Sequence, residues 1–159
     1  MQIPGTSQRS FKPDDAEARF NLGNALLQKG QMDEAIAQYQ QALQIKPDYT
    51  EVLNNLAWLL ATCPDAHIRD GVQAVKYAGH ACELTHYGMT TLVGTLAAAC
   101  AEAGRYDEAI AAAQKACALA TAAGEEELLG KNRELLVLYR AHQPYHEAAG
   151  TVVPAAPRP

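Results

Sequence analysis

The stretch Asn21-Leu22-Gly23-Asn24-Ala25, continued by Gly30, Asp33-Glu34-Ala35-Ile36 and Ala42, recurs as Thr95-Leu96-Ala97-Ala98-Ala99, Gly104, Asp107-Glu108-Ala109-Ile110 and Ala116. Both occurrences keep the same internal spacing. A unit that repeats in this way cannot bury its apolar face alone, so neighbouring copies must stack into a solenoid whose exposed concave surface is free to bind.

The first copy can be read position by position from Ala16. Leu22, Leu26, Tyr39 and Leu43 fall on one face at helical spacing, while Gly23 and Ala35 are small where two antiparallel helices have to approach closely. Gly30-Gln31 supplies the turn between the helices, and Pro47 stops the second. The second copy starts at Thr50, with Leu53, Leu56, Ala57 and Leu60 on its first helix and Ala74, Ala78 and Ala81 on its second. Ala74 stands 39 residues after Ala35, five more than a 34-residue period allows, so residues 63–71 form an inserted loop.

A third copy begins near Thr90 and carries Leu96, Ala97, Cys100, Gly104, Tyr106, Ala109, Ala113 and Ala116. Beyond Gly124, the acidic run Glu125-Glu126-Glu127 favours a helix start, and Leu128, Leu135, Leu138 and Tyr139 continue an amphipathic helix suited to cap the array. The expected architecture is all-α: a right-handed α-solenoid of three helical hairpins, repeats at about 16–49, 50–85 and 90–123, plus a C-terminal capping helix at about 125–142. Residues 14–147 form that domain, residues 1–13 a flexible N-terminal segment, and residues 148–159 a Pro-rich disordered tail.

Composition fits a helical binding protein. The hydrophobic fraction of 48% is dominated by Ala and Leu, which favour helix. A net charge of -5 with no cluster of Lys and Arg argues against a nucleic-acid partner. No segment has the uncharged span of a membrane helix, so direct membrane insertion is not expected. Cys63, Cys82, Cys100 and Cys117 show no paired spacing, which favours a reducing compartment, the cytoplasm. Cys82, Cys100 and Cys117 read as buried apolar groups, and Cys63, in the loop, as the exposed and reactive one.

The indexed positions carry a resemblance. Leu22, Gly23, Ala35, Tyr39, Ala42 and Pro47 match the pattern of the tetratricopeptide repeat family, with Arg19 in place of its Trp and Leu26 in place of its first aromatic. Residues 50–147, through Asn54-Asn55-Leu56-Ala57-Trp58, Arg69-Asp70-Gly71 and Pro144-Tyr145, resemble the closing repeats of a bacterial group of such proteins. Some members of that group carry the array behind a glycosyltransferase-like or other catalytic module. The periplasm is then the expected compartment if the array belongs to a larger membrane-anchored protein.

The resemblance implies a groove lined by the first helix of each hairpin. In repeat one the lining is Glu17, Phe20, Asn21, Asn24, Leu27 and Gln28; in repeat two, Glu51, Asn54, Asn55, Trp58, Ala61 and Thr62; in repeat three, Thr91, Gly94, Thr95, Ala98, Ala101 and Glu102. The carboxylate clamp of the chaperone-binding members needs Lys and Arg, and Phe20, Thr91 and Thr95 replace them here. An asparagine ladder, in which successive amides hold a peptide backbone, finds two rungs in Asn21 and Asn55 and a Thr at Thr95. The other reading is that these amides cap, solvate or bridge helices. Trp58 is either an aromatic anchor for a partner or a core residue under the loop.

Nothing in the sequence supports catalysis or a cofactor. There is no G-x-S-x-G and no phosphate-cradling glycine loop. His142 and His146 are four apart, but Pro144 between them breaks the turn that would bring them together on a metal. Three functions follow: a non-catalytic scaffold that binds a protein or peptide in its groove, a self-assembling module that forms homo-oligomers, or an accessory domain of a larger enzyme.

Overall fold

The computed structural model describes residues 15–150. Both expected terminal segments, residues 1–13 and most of the tail from 148, lie outside that range. Among the described residues there are seven helices and no strand: α1 (Ala16–Gln28), α2 (Met32–Ile45), α3 (Thr50–Thr62), α4 (Gly71–Leu84), α5 (Thr90–Glu102), α6 (Tyr106–Ala123) and α7 (Glu126–Arg140).

Local chemistry sets most of the ends. The Asp15 carboxylate accepts from the backbone N–H groups of Glu17 and Ala18 and caps α1, and Asp70 caps α4 through the Gln73 N–H. Gly30 and Gly104 each take φ 75° after α1 and α5, the left-handed conformation that turns the chain into the second helix of its hairpin. Asp33-Glu34 and Asp107-Glu108 sit in the first turns of α2 and α6 without a side-chain cap bond, where their charge favours the helix dipole, and Glu108 also pairs with the Arg105 guanidinium.

Each helix packs against its successor, except that α2 touches α3 more lightly. The odd-numbered helices also pack directly on one another, α3 on α5 and α5 on α7. They therefore form a row. At the α1 end the link to α3 is polar, through Asn24 and Asn55. The centre of the row is α3, where every residue from Val52 to Thr62 is buried.

Two close approaches depend on glycine. The missing side chain of Gly23 is filled by the Tyr39 ring: a Cβ there would lie 2.6 Å from the ring edge. The close approach expected at Gly23 is thus made by the Tyr39 ring. At Gly71, the first residue of α4, a Cβ would lie 2.5 Å from the Ala103 backbone nitrogen. The insertion loop can return to the array only because the start of α4 fits against the end of α5.

The loop itself corrects one expectation. Cys63 is fully buried, with its thiol 3.1 Å from the Met32 sulfur, and burial pushes its pKa up. The Arg69 guanidinium folds over the loop and donates to the Cys63 and Pro64 carbonyls at 2.7 and 3.0 Å. Burial also pushes Cys82 and Cys100 up to about 12 and about 11, whereas Cys117, expected to be buried with them, is partly exposed. Among the described residues no helix is long and apolar enough to cross a membrane.

Two predictions follow from this packing. Gly71→Ala has no room against fixed backbone and should destabilise the chain by about 1–3 kcal/mol in urea unfolding. Gly79→Ala, inside α4 with nothing within 4 Å of its Cβ, should stabilise it by about 0.5–1 kcal/mol; equal effects at the two sites would contradict the close approach. A thiol reagent added to the native protein at pH 8 should label Cys117 first and reach Cys63, Cys82 and Cys100 at the rate of unfolding. Rapid labelling of Cys63 would contradict its burial.

Candidate functional site

The row of odd-numbered helices opens into a cleft of about 770 Å³. Trp58 of α3, Thr91, Gly94 and Thr95 of α5, and Glu127, Lys131, Asn132 and Glu134 of α7 form its walls, with Tyr145 and Glu147 along one side. Several polar groups here are satisfied within the fold. The Thr95 hydroxyl donates to the Thr91 carbonyl (3.0 Å), the Thr90 hydroxyl to Glu125 (2.6 Å), and the Asn132 amide to the Leu128 carbonyl (2.8 Å).

On α3 the situation is different. The Trp58 indole nitrogen and both ends of the Asn54 carboxamide are buried without a hydrogen-bond partner. Asn54 and Trp58 are four apart and share a helix face. An unpaired buried polar group costs about 1–3 kcal/mol; of the two, Trp58 lines the cleft and Asn54 lies in the interior behind it. The Tyr139 hydroxyl is a further buried group without a partner, and burial raises its pKa.

After α7 the chain turns back over the row. Beyond the C-cap Ala141, His142 takes φ 54°, which redirects the backbone, and its ring stacks on Tyr106 with centroids 4.8 Å apart. The Tyr145 ring then lies 6.0 Å from Trp58, with the Lys131 ammonium 4.3 Å from its centroid. Its hydroxyl donates to Glu147 at 2.9 Å, and burial together with that bond raises its pKa. His146 Nε2 lies 2.6 Å from Glu102 Oε2, and because the carboxylate accepts, this nitrogen carries the proton. Glu102 Oε1 accepts from Arg69 Nε at 3.0 Å. Finally the Glu147 backbone N–H donates to the Thr62 carbonyl, at the end of α3, at 2.8 Å.

The residues expected to line a groove are distributed unevenly. Trp58, Thr91 and Thr95 meet in the cleft. Asn24 and Asn55 meet each other: Asn24 Oδ1 accepts from the Asn55 amide at 3.2 Å and from the Tyr39 hydroxyl at 2.6 Å. Desolvation pushes Tyr39 up to about 12, and its contact with Asn55 opposes the shift. Glu17 and Asn21 are exposed on α1, and Glu51 is half-buried at the start of α3. Phe20 is half-buried, with ring centroids 5.4 Å from Tyr49 and 6.2 Å from Tyr39. Gln28 lines a second, smaller cleft with Lys29, Met32 and Pro64.

The sequence offers His146 only as one of a spaced histidine pair and Tyr145 only within the family resemblance; it points to none of the contacts that Lys131, Tyr145, His146 and Glu147 make around the cleft. The available signal was Pro144, which ends the helical pattern ahead of an aromatic, a basic and an acidic residue. The two histidines face different partners, Tyr106 and Glu102. Among the described residues no group of three or more His, Cys, Asp and Glu is placed to hold a metal ion.

Comparison with known proteins gives one partial match. No curated protein matches the chain. A TPR repeat model matches residues 23–61, which run from Gly23 of α1 through α2 to Ala61 of α3. TPR repeats generally mediate protein–protein interaction and are typically non-catalytic scaffolds. With seven helices arranged as successive packed neighbours, the match supports assignment of this chain to the tetratricopeptide repeat family.

Proposed function

We propose that the chain is a non-catalytic scaffold that holds an extended peptide of a partner protein against the face formed by α3, α5 and α7. The observation that carries this reading is the unpartnered Trp58 indole N–H, nine-tenths buried in the wall of the cleft, with the unpartnered Asn54 amide on the same helix face. A peptide backbone carries the carbonyl acceptor that the Trp58 indole N–H lacks. The bound segment extends from there past Thr91 and Thr95.

On α1, Asn21, Asn24 and Gln28 share one face at i, i+3 and i+7, and Asn24 meets α3 through Asn55. Their roles differ. Asn24 and Asn55 hold α1 to α3 around the Tyr39 hydroxyl, which leaves Asn21 as the freer rung of a peptide ladder. The four unpaired cysteines favour a reducing compartment, the cytoplasm.

Substitutions separate the two roles. Asn24→Ala strands the buried Tyr39 hydroxyl and should lower stability by about 1–3 kcal/mol, whereas Asn21→Ala should stay within about 0.5 kcal/mol of the parent; unfolding curves of the two variants check this. For binding, a displayed library of unstructured peptides is selected on the immobilised full chain, and the recovered peptides are measured by titration. Thr91→Lys should weaken them about tenfold or more, a loss of about 1.4 kcal/mol. Val72→Lys, on an exposed stretch of α4, should leave them unchanged. Equal effects, or no recovered binder, would count against the cleft as a binding surface.

A further inference from the structure

The segment Pro144–Glu147 makes, within one molecule, the contacts that a bound peptide would make. Its backbone is neither helix nor strand. It crosses the ends of α3 and α5 and is held by three kinds of contact. An aromatic ring packs between Trp58 and the Lys131 ammonium. The next side chain donates to a carboxylate, Glu102, that Arg69 holds in place. One residue further, a backbone N–H reaches the Thr62 carbonyl at the open end of α3. None of these contacts is part of a repeat, and the segment contributes its own residues to the wall of the cleft.

We propose that Pro144–Glu147 is an internal ligand of the cleft, and that the partner segment displacing it is an extended peptide with an aromatic residue followed directly by a basic one. This rests on the reading of the cleft as a peptide site and specifies its ligand. The aromatic residue takes the place of Tyr145 against Trp58. The basic residue takes the place of His146 at Glu102, whose second oxygen is already matched to Arg69, so the pair presents one free acceptor to an incoming donor. Thr62 offers a carbonyl to the backbone of any such peptide, which gives affinity without sequence preference.

Tethering sets the threshold for entry. The segment follows the end of α7 by a few residues, and a ligand on a short linker competes at an effective concentration of about millimolar. A partner peptide must exceed that competition, or the segment must first be drawn away. The unpartnered Trp58 indole fits this arrangement: Tyr145 covers the ring but gives its hydroxyl to Glu147, so the internal ligand leaves a donor that a better ligand can use.

Trp58 is the single tryptophan of the chain, so its fluorescence reports on the site directly. The experiment compares the full chain with its Tyr145→Ala variant, both shown to be helical by circular dichroism, using acrylamide quenching and a synthetic peptide of residues 143–149 added in trans. The variant should show a red-shifted, more readily quenched tryptophan. The peptide should reverse that change saturably, at a concentration at least about tenfold below any effect on the parent chain. A peptide with alanine at the tyrosine and histidine positions should not reverse it. Unchanged quenching in the folded variant, no reversal by the peptide, or equal reversal by the alanine peptide would each overturn the proposal. If Tyr145→Ala loses its helical signal, His146→Ala replaces it under the same criteria. Library-selected peptides that lose affinity on Thr91→Lys would still support the cleft in that event, so failure of the internal ligand is distinguishable from failure of the binding site.

Discussion

The burial of α3 on every side is the constraint on which the rest of the molecule depends. An isolated amphipathic helix needs one apolar stripe, yet Val52 through Thr62 are all removed from water, including Asn54, Asn55 and Thr62. A helix in that position needs a partner on each face. The chain supplies α4 and α5 by direct packing, α1 through the Asn24–Asn55 bond, and the segment after α7 through Tyr145 and Glu147. Where those partners are apolar the burial is favourable, and where they are polar it is only partly matched. The unpaired atoms of Asn54 and Trp58 are the residue of that mismatch.

Small residues make the arrangement possible. Ala35, Ala74 and Ala109 are fully buried at corresponding points of the second helix of each hairpin, and Gly71 lets the inserted loop return to the row. The loop is tied down by Arg69, which donates to two loop carbonyls and to Glu102 at the end of α5. One guanidinium therefore couples the loop, the end of a groove helix and, through Glu102, the residue that meets His146.

The helices were legible because their signals are local. Gly30 and Gly104 mark turns, the 3.6-residue spacing marks faces, and the excess of five residues between Ala35 and Ala74 marks the loop without reference to anything distant. What the loop packs against was not legible: spacing places Cys63 outside a helix, but only the fold brings it against Met32. The same limit hid the site. Trp58, Thr91 and Thr95 follow from repeat position, whereas Tyr145 and His146 belong to no repeat, and their contacts with Trp58 and Glu102 span 87 and 44 positions of sequence. Pairings of that range leave no periodic trace. Pro144 between His142 and His146 argues in the sequence against a shared metal, but only the fold supplies their partners, Tyr106 and Glu102.

At the centre of the cleft wall the Trp58 indole lies beneath Tyr145 with no hydrogen-bond acceptor. Because the chain has a single tryptophan, a ¹⁵N-labelled sample gives one indole N–H resonance, and nuclear Overhauser contacts from the Trp58 ring and its N–H test the arrangement directly. The structure predicts contacts from the Trp58 ring to the Tyr145 ring protons and slow exchange of the indole proton with water. An indole proton that exchanges at the rate of a free tryptophan side chain, with no contact to Tyr145, would contradict it.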